Sequence, residues 1–362
     1  MSAATAMPAD PSHWTREQHL LVSAHWGELI AEVDCADMAL AGKAMPGAVF
    51  HRVDFSRADF RGADLRECVF DGCQLDGAVM AQARLRGAVF NQCSGVGIDF
   101  TGASLRNAKA VQCDFGGALL HGADLNLAAL VKTGLAKADF SNALLDRASL
   151  VEVDLSGANF SAATLHQCTL SQAGLDAVQF GGATFDRVVF HRSALPGKDF
   201  SGLTFKACQF IESDLAGVSF RRARITQCNF KGADLTGACF ADAQAANTLF
   251  PEAHGEQCRF DGADLTQAVF AGAAFKRCSF NGARLHQSNF AKADVSASSF
   301  RDTDLTYADF SHAVAPGADF SNATMFRTKL HRIQDTGATY SQRAQALETD
   351  SDLALAEDWP RS

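Results

Sequence analysis

Large apolar side chains recur at every fifth residue of this chain, from Phe50 to Leu330, without a single shift in register. Of the 57 positions in this series, 52 are Phe, Leu, Met, Ile or Val, and they hold 27 of the 28 phenylalanines. A period of five matches neither the 3.6 residues of a helical turn nor the alternation of an ordinary strand. Because self-similarity at a fixed period is typical of repeat architectures, the pattern predicts an array of short repeats.

Smaller residues keep the same period. We call the large apolar series position i; position i − 2 is mostly Ala and is Cys nine times, as in Ala58-Asp59-Phe60 and Cys68-Val69-Phe70. From Gly42 onward, 22 of the 29 glycines lie at position i + 2 of this register, which favours a tight turn with positive φ. Each repeat therefore supplies one large and one small inward side chain and then turns a corner.

Sorting position i into four classes, each recurring every 20 residues, shows how many repeats close one coil. The class that contains Phe60 and Phe100 is Phe at 12 of 14 positions, and the class that contains Phe50 and Phe70 is Phe at 10 of 15. The two classes between them are mostly Leu. Phe and Leu therefore alternate around a predicted four-sided coil, in which identical side chains stack from one coil to the next.

The segments 58–67, Ala-Asp-Phe-Arg-Gly-Ala-Asp-Leu-Arg-Glu, and 231–238, Lys-Gly-Ala-Asp-Leu-Thr-Gly-Ala, resemble the pentapeptide repeat family. The resemblance covers about four fifths of the chain. It implies an all-β fold, a right-handed quadrilateral parallel β-helix, here of about 14 coils over residues 48–332. Each coil of such a solenoid contacts only its neighbours.

A solenoid exposes apolar side chains and unpaired backbone at both ends, so short helical caps are expected in both flanks. In the N-terminal flank, residues 1–47, an amphipathic helix is predicted over 16–33. It starts at a capping-box sequence, Thr15–Gln18. Apolar residues then recur at helical spacing: Val22, Trp26, Leu29, Ile30 and Val33.

The C-terminal flank, residues 333–362, is acidic and is predicted to contain a short helix with Leu353, Leu355 and Trp359. This tail could cap the last coil, form a homodimer or be presented to a partner, and the sequence leaves these three alternatives open. Trp359 is accordingly a candidate interaction residue.

The positions of the cysteines along the repeat favour a reducing compartment. Nine of the eleven cysteines occupy position i − 2, where Cys acts as a slightly larger Ala, so we expect reduced structural thiols in a bacterial cytoplasm. Disulfides among Cys73, Cys93 and Cys113, which are 20 residues apart, are the alternative. The N-terminus lacks the features of a secretory signal and no apolar run is long enough to cross a membrane, so no membrane association is expected.

The middle of the chain contains an irregular site. Pro196-Gly197 and Pro316-Gly317 are predicted type II turns. Directly after the first, Lys198 and Leu203 occupy consecutive i − 2 positions. A lysine cannot stay charged inside an apolar column without a partner. We expect a bulge or kink that carries Lys198 outward, and a functional contact of Pro196, Lys198 and Leu203 is the alternative.

Five positions of the i series lack a large apolar residue, and the space they leave must be filled locally; Ile98, close to the first of them, is one candidate filler. They are Gly95, Ala110, Ala245, Gly255 and Ala315.

No catalytic, cofactor or metal site is predicted, because catalytic groups converge in a concave site and a filled coil offers no cleft. His51, His191 and His331 share a column but lie seven coils apart, too far to hold one metal ion. The regular Asp residues before position i, such as Asp54 and Asp59, are predicted to hydrogen-bond the turn backbone.

Charge argues against a nucleic-acid partner. The net charge is −9, but residues 48–332 account for only −1, and each flank contributes −4. Arg66, Arg86 and Arg106 form a predicted basic column, yet Asp64 and Glu67 interrupt it. Nucleic-acid binding is therefore not expected, although this column remains a candidate interaction surface.

Without a cleft, the protein is expected to act through its surface as a non-catalytic scaffold or adaptor with protein partners of unknown identity. The resemblance implies two bacterial settings: accessory or effector-loading proteins of type VI secretion, and DNA-mimicking proteins that bind DNA gyrase and protect or inhibit it. A DNA mimic needs a dense field of negative charge, whereas the repeat region is almost neutral. The secretion setting is therefore the preferred hypothesis and gyrase binding the alternative.

Overall fold

The computed structural model describes residues 13–359. The chain forms two compact units, Met1–Ala183 and Thr184–Ser362. Helix α1 spans Arg16–Trp26, helix α2 spans Ser351–Glu357, and a 3₁₀ turn spans Arg343–Gln345. All other regular structure in the described part is short β-strand.

Every strand contains one residue of the i series, extended in register towards both termini, and most are only three residues long. The strands are β1 (Leu29–Ala31), β2 (Val49–His51), β3 (Val69–Asp71), β4 (Val89–Asn91), β5 (Lys109–Val111), β6 (Ala129–Val131), β7 (Leu144–Asp146), β8 (Ser149–Val151), β9 (Thr164–His166), β10 (Thr169–Ser171), β11 (Thr184–Asp186), β12 (Val189–His191), β13 (Phe205–Lys206), β14 (Gln209–Ile211), β15 (Asp319–Phe320) and β16 (Thr339–Tyr340).

Both units use the same parallel pairing, in which each residue pairs with the residue 20 positions later. In the first unit, β1-β2-β3-β4-β5-β6-β8-β10 form one sheet and β7 pairs with β9; Ile30, for example, pairs with Phe50. In the second unit, β11 pairs with β13, β12 with β14 and β15 with β16. Isolated parallel bridges, such as Asp234 with His254, continue the same register elsewhere. The 20-residue coil is confirmed.

The predicted fold class, a parallel β-solenoid, is confirmed, but the predicted 14 coils are too few. Residues 13–359 contain about 16 turns of the solenoid. The first coil starts at β1, well before residue 48, because Ile30, Cys35, Leu40 and Met45 extend the i series in register and are all buried. At the other end, β16 adds a further strand beyond residue 332.

The interior consists of stacked rings. Phe280 and Phe300 stack at 4.7 Å with an interplanar angle of 2°, as do Phe290 and Phe310 at 4.7 Å and 6°. Rings of the two Phe columns meet edge to face, as Phe280 and Phe290 do at 5.8 Å and 85°. These are the favourable arrangements for aromatic pairs. The alternation of Phe and Leu classes thus produces a closely packed apolar interior.

Gaps in the i series are filled by a ring from the next coil. The Phe115 ring occupies the space beside Gly95, where an added Cβ would lie 2.9 Å from it, and Ile98 is also adjacent, as predicted. The Phe275 ring fills the space beside Gly255 in the same way, and an added Cβ there would overlap it. Ala110 is compensated less fully, since an apolar cavity of about 20 Å³ remains beside it.

The corners explain the remaining periodic residues. Position i + 2 has positive φ whether or not it is glycine, for example 64° at Gly197 and 57° at Arg57. The preceding Asp side chains accept hydrogen bonds from the backbone of the turn, as predicted: Asp54 Oδ1 accepts from Ser56 N–H at 2.8 Å. The corners are therefore held by backbone hydrogen bonds between adjacent coils and, where Asp or Asn precedes position i, by an Asx contact as well.

Helix α1 is shorter than predicted. The capping box is present: Gln18 N–H donates to Thr15 Oγ1 at 3.2 Å, and Thr15 N–H donates to Gln18 Oε1 at 2.8 Å. The helix ends at Trp26, not at residue 33, because Gly27 adopts a left-handed conformation that terminates it. Its buried residues are Leu20 and Ala24, whereas Trp26 is 73% exposed, so the predicted apolar stripe was wrong in detail.

The C-terminal end of the solenoid is closed by a polar network over an aromatic column. Tyr340 stacks on Phe320 at 4.8 Å, and the guanidinium of Arg343 lies 4.5 Å from the Tyr340 ring centroid. The Tyr340 hydroxyl donates to Asp335 at 2.7 Å, and Arg343 also pairs with Asp335 and Glu348. Burial, together with this hydrogen bond, raises the pKa of Tyr340 above its usual value.

Candidate interaction surfaces

Only the outward-facing side chains of the coils are accessible to a binding partner. Position i and nearly all of position i − 2 are buried along the described coils, and the cavity beside Ala110 is apolar and about 20 Å³ in volume. All eleven cysteines are free thiols, and all except Cys239 are buried. Recognition must therefore involve the corners, the outer walls or the two terminal segments.

The basic column predicted from the sequence exists, but it is largely neutralised. Backbone bonds from Glu67 N–H to Arg86 O and from Gly87 N–H to Arg106 O place the three arginines at one corner of successive coils. Arg66 forms a bidentate pair with Asp64, at 2.6 and 2.7 Å, and Arg106 lies 3.4 Å from an Asp124 oxygen.

These pairs leave little unbalanced charge at the corner. The hydrogen bond from Arg66 lowers the pKa of Asp64, so this carboxylate stays ionised and compensates the guanidinium. Arg86 is exposed and has no side-chain hydrogen bond or ion pair within residues 13–359. One unpaired arginine in three coils does not form a basic strip.

The bulge predicted at Lys198 is absent. Lys198 N–H donates to Leu195 O at 3.3 Å and Lys198 O accepts from Ser219 N–H at 2.8 Å, the same pattern as in other coils. Leu203 keeps the pattern too, with a bond to Phe200 O at 3.1 Å. Because Pro196-Gly197 forms the predicted turn within the regular register, no extra residue has to be accommodated.

The side chains at this site nevertheless differ from those elsewhere in position i − 2. Both Lys198 and Leu203 are partly exposed, whereas Ala, Cys and Val at equivalent positions between residues 48 and 328 are buried. Pro196 is exposed at the adjoining corner. The three residues therefore form a small irregular surface patch on a regular backbone.

The C-terminal tail combines a backbone cap with an exposed apolar edge. Leu347 N–H donates to Thr328 O at 2.8 Å and Leu330 N–H donates to Leu347 O at 2.8 Å, so the tail pairs with the last coil. In α2 and just beyond it, Leu355 is 70% and Trp359 77% exposed. Trp359, a predicted interaction residue, is thus accessible.

Sequence reasoning missed a side-chain cluster where this tail meets the coils. His312 Nε2 lies 3.1 Å from Glu357 Oε1, and His331 Nε2 lies 3.2 Å from Glu357 Oε2. We call His312, His331 and Glu357 the C-terminal cluster. Hydrogen bonds from His331 and His312 lower the pKa of Glu357. The repeat places His312 and His331, which are 19 residues apart, at the same corner of successive coils. Nothing in the repeat indicates that α2 lies against this corner.

Among residues 13–359, no helix has the length and apolar character needed to cross a membrane. The parallel 20-residue coils and buried aromatic columns define this protein as a β-solenoid repeat protein.

The sequence matches a pentapeptide repeat region over residues 45–125. It also matches pentapeptide repeats over 135–172, 204–242, 238–273, 258–296, 268–306 and 303–334. These matches together cover well over half of the chain, which therefore belongs to the pentapeptide repeat family.

Solved structures with this fold have low sequence identity to the chain. QnrB1, a plasmid-mediated fluoroquinolone resistance protein, is 21% identical, with 61% of this chain and 90% of that chain covered and a TM-score of 0.36. HetL, involved in heterocyst differentiation regulation in the cyanobacterium Nostoc sp. strain PCC 7120, is 20% identical, with 92% and 94% covered and a TM-score of 0.22. No protein with a curated description matches the sequence.

Proposed function

We propose that this protein is a non-catalytic scaffold or adaptor that binds other proteins through its outward-facing side chains. The filled interior carries this proposal: every large side chain of the i series in the described coils is buried, and the interior cavity beside Ala110 is apolar and only about 20 Å³ in volume. A surface of this kind can bind a partner but cannot surround a substrate.

Accessory or effector-loading activity in type VI secretion is the specific setting that we propose for this scaffold. The acidic tail with its exposed Leu355 and Trp359 supports it, because tryptophan is enriched among the residues that anchor protein interfaces. Gyrase binding is the alternative. The charges on the coils argue against gyrase binding, because Arg61 and Arg66 neutralise nearby Asp residues that would have to mimic phosphates.

The test uses the full-length protein as bait in its native host, with covalent cross-linking and mass spectrometry. Two variants serve as matched baits: a tail variant, Leu355→Ser with Trp359→Ser, and a corner variant, Arg66→Glu with Arg86→Glu. The scaffold proposal expects a defined partner that is lost with one variant and retained with the other. Identical recovery by both variants and by the tag alone would contradict it.

The same experiment separates the specific settings. Cross-links to a secretion-apparatus or effector protein are expected for the type VI role, and their absence among reproducible partners would count against that role while leaving the scaffold intact. A supercoiling assay with purified gyrase tests the alternative, and unchanged gyrase activity in the presence of excess protein would exclude it.

A further inference from the structure

We propose that His312, His331 and Glu357 form a binding site for a divalent transition-metal ion of the Zn²⁺ type, which fastens helix α2 to the last coils. The potential ligand atoms of the three residues all lie within 4.8 Å of one another. This role is independent of which partner the scaffold binds.

The backbone brings the two histidines together. His312 occupies position i + 2 with φ of 59°, and its N–H donates to His331 O in the next coil at 2.8 Å. The two imidazole rings are 5.3 Å apart at 77°, and both face Glu357 of α2. Two ligands thus come from the rigid solenoid and one from the tail.

The ligand set suits zinc. Zn²⁺ binds His nitrogen and carboxylate oxygen at about 2.0–2.2 Å, so tetrahedral ligands lie roughly 3.3 Å from each other. The separation of 3.1 Å between Glu357 Oε1 and His312 Nε2 agrees with this spacing, and His331 Nε2 lies 3.2 Å from the other oxygen of the same carboxylate. His331 is buried, whereas the side chains of His312 and Glu357 are 34% and 31% exposed, which leaves a side open to the ion and to a bound water.

Neighbouring charges favour a cation and hold the carboxylate in place. Arg332 Nε lies 3.2 Å from Glu357 Oε2, and Arg332 also pairs with Asp358 at 2.5 Å. The two carboxylates outweigh the single guanidinium. Because Arg332 contacts Oε2, it orients the group while Oε1 remains beside His312, as expected of a residue that supports a metal-binding carboxylate.

One hydrogen bond must change when the metal binds. Asp350 N–H donates to His331 Nδ1 at 3.1 Å, so in the neutral ring the proton resides on Nε2 and points towards Glu357. Coordination through Nε2 moves this proton to Nδ1, and Asp350 N–H loses its acceptor. Metal binding therefore breaks the hydrogen bond between Asp350 N–H and His331 Nδ1 at the start of α2. The loss of this bond can be measured separately from metal binding itself.

The experiment titrates the full-length, reduced, chelator-treated protein with ZnCl₂ by calorimetry, and with CoCl₂ by absorption spectroscopy. We expect one equivalent of metal that is lost, or bound at least about 10-fold more weakly, in His312→Ala and in Glu357→Gln. The Co²⁺ spectrum of this equivalent should lack a thiolate charge-transfer band, which distinguishes it from binding to cysteine. Hydrogen exchange at the Asp350 amide should become faster when Zn²⁺ is added.

His286→Ala is the matched control, because His286 lies at a corner outside the cluster and should leave the stoichiometry unchanged. The partly exposed His312 is preferred to buried His331 for substitution, and far-UV circular dichroism verifies that each variant stays folded. Equal stoichiometry and affinity in wild type, His312→Ala and Glu357→Gln would overturn the proposal. So would unchanged exchange at Asp350 in zinc-saturated protein.

Discussion

At the scale of single residues, the structure shows that a missing side chain in one coil is compensated by a larger one in the next. Gly255 and Phe275 lie in the same column, 20 residues apart, in a class where Leu is the usual residue. The Phe275 ring extends into the space that Gly255 leaves empty and also blocks any Cβ there. Gly95 and Phe115 repeat the arrangement. Each pair therefore behaves as one packing unit.

We predict strong coupling between these two positions. Gly255→Leu should destabilise the protein by about 1–3 kcal/mol, because the added side chain collides with the Phe275 ring. Phe275→Leu should also destabilise it, by leaving a cavity. The double variant, which has the column's usual Leu at both positions, should recover most of the lost free energy of unfolding. Denaturant unfolding of all four proteins measures the coupling energy.

The control combines Gly255→Leu with Phe310→Leu. Phe310 lies in a different column, almost three coils from Gly255, so the effects of these two substitutions should be additive. If the Gly255→Leu and Phe275→Leu effects are also additive, the pair does not act as one packing unit.

A second residue-scale feature concerns the small polar residues of position i − 2, whose side chains bond the carbonyls of the neighbouring coil. Ser298 Oγ donates to Phe275 O at 2.9 Å and accepts from Cys278 N–H at 3.0 Å. Cys258 donates to Leu235 O at 2.9 Å. Cysteine here is thus more than the enlarged alanine that the sequence suggested. Among buried side-chain nitrogen and oxygen atoms in the described part, only Ser288 Oγ lacks a hydrogen-bond partner.

This contrast predicts opposite results for two similar substitutions. Ser298→Ala should cost about 1 kcal/mol, because it removes two hydrogen bonds and leaves the Phe275 carbonyl with fewer donors. Ser288→Ala should be neutral or stabilising, because it removes an unpaired buried hydroxyl. Thermal unfolding of both variants provides the measurement, and equal destabilisation by the two would refute the distinction.

At the scale of elements, the last coil shows how a solenoid of stacked rings can end. Tyr340 replaces Phe at the top of its column, so that the final ring carries a hydroxyl for Asp335, and Arg343 covers its face. The guanidinium supplies a polar surface to solvent while it contacts the ring below. This network therefore closes the aromatic column without a large apolar cap.

We predict that Arg343→Ala loosens this end of the protein by about 1–2 kcal/mol, through loss of the cation–π contact and the ion pairs with Asp335 and Glu348. Hydrogen exchange should become faster at Thr339 and Tyr340. Coils in the first unit, such as that of Phe70, should keep their protection, because each coil contacts only its neighbours. A uniform loss of protection along the chain would contradict this local role.

The sequence predicts an element well where the five-residue repeat determines the positions of its residues, and poorly where it does not. Coil length, stacking of Phe280 on Phe300 and the Asx turns follow from the period of five, and the structure confirms them. The end of α1 was predicted wrongly because Leu29 and Ile30 satisfy both a helical stripe and the first coil, and Gly27 decides between them. The C-terminal cluster was missed because its tail residue lies outside the repeat.

At the scale of the whole molecule, several Asp carboxylates at the corners have a pKa below the usual value for Asp. The pKa values of Asp59 and Asp64 are lowered by hydrogen bonds from Arg61 and Arg66, and that of Asp199 by bonds from Ser201. A carboxylate whose pKa is lower in the folded than in the unfolded state stabilises the fold above the unfolded value. It loses that contribution as the pH falls through the folded value.

We therefore predict that the midpoint of thermal unfolding falls as the pH is lowered from about 5 to about 3, since the unfolded Asp pKa is about 3.9. The combined variant Asp59→Asn, Asp64→Asn and Asp199→Asn should show a shallower decrease, because Asn still accepts the turn N–H but does not titrate. An unchanged slope in this variant would mean that other groups control acid unfolding.

Thiol reactivity offers a second test on the whole chain. Burial raises the pKa of Cys68 to about 12 and that of Cys35 to about 11. Thiolate is the reactive form, so these cysteines should resist alkylation. The other ten cysteines are all buried, whereas Cys239 is partly exposed. Because buried thiols are not accessible to the reagent, we predict that iodoacetamide modifies Cys239 first in the native protein and the other ten only on unfolding, as measured by peptide mass spectrometry. Rapid labelling of Cys73, Cys93 or Cys113 would show that these columns open in the native state.

The constant offset of 20 residues between paired strands also bears on how such a gene can change length. Gain or loss of 20 residues returns every side chain to its own wall, so Phe still meets Phe and Leu meets Leu. Gain or loss of five shifts all later residues by one wall and places Phe columns over Leu columns. Duplication in whole coils is thus the conservative route for growth, and chains of this family can lengthen without redesign of their interior.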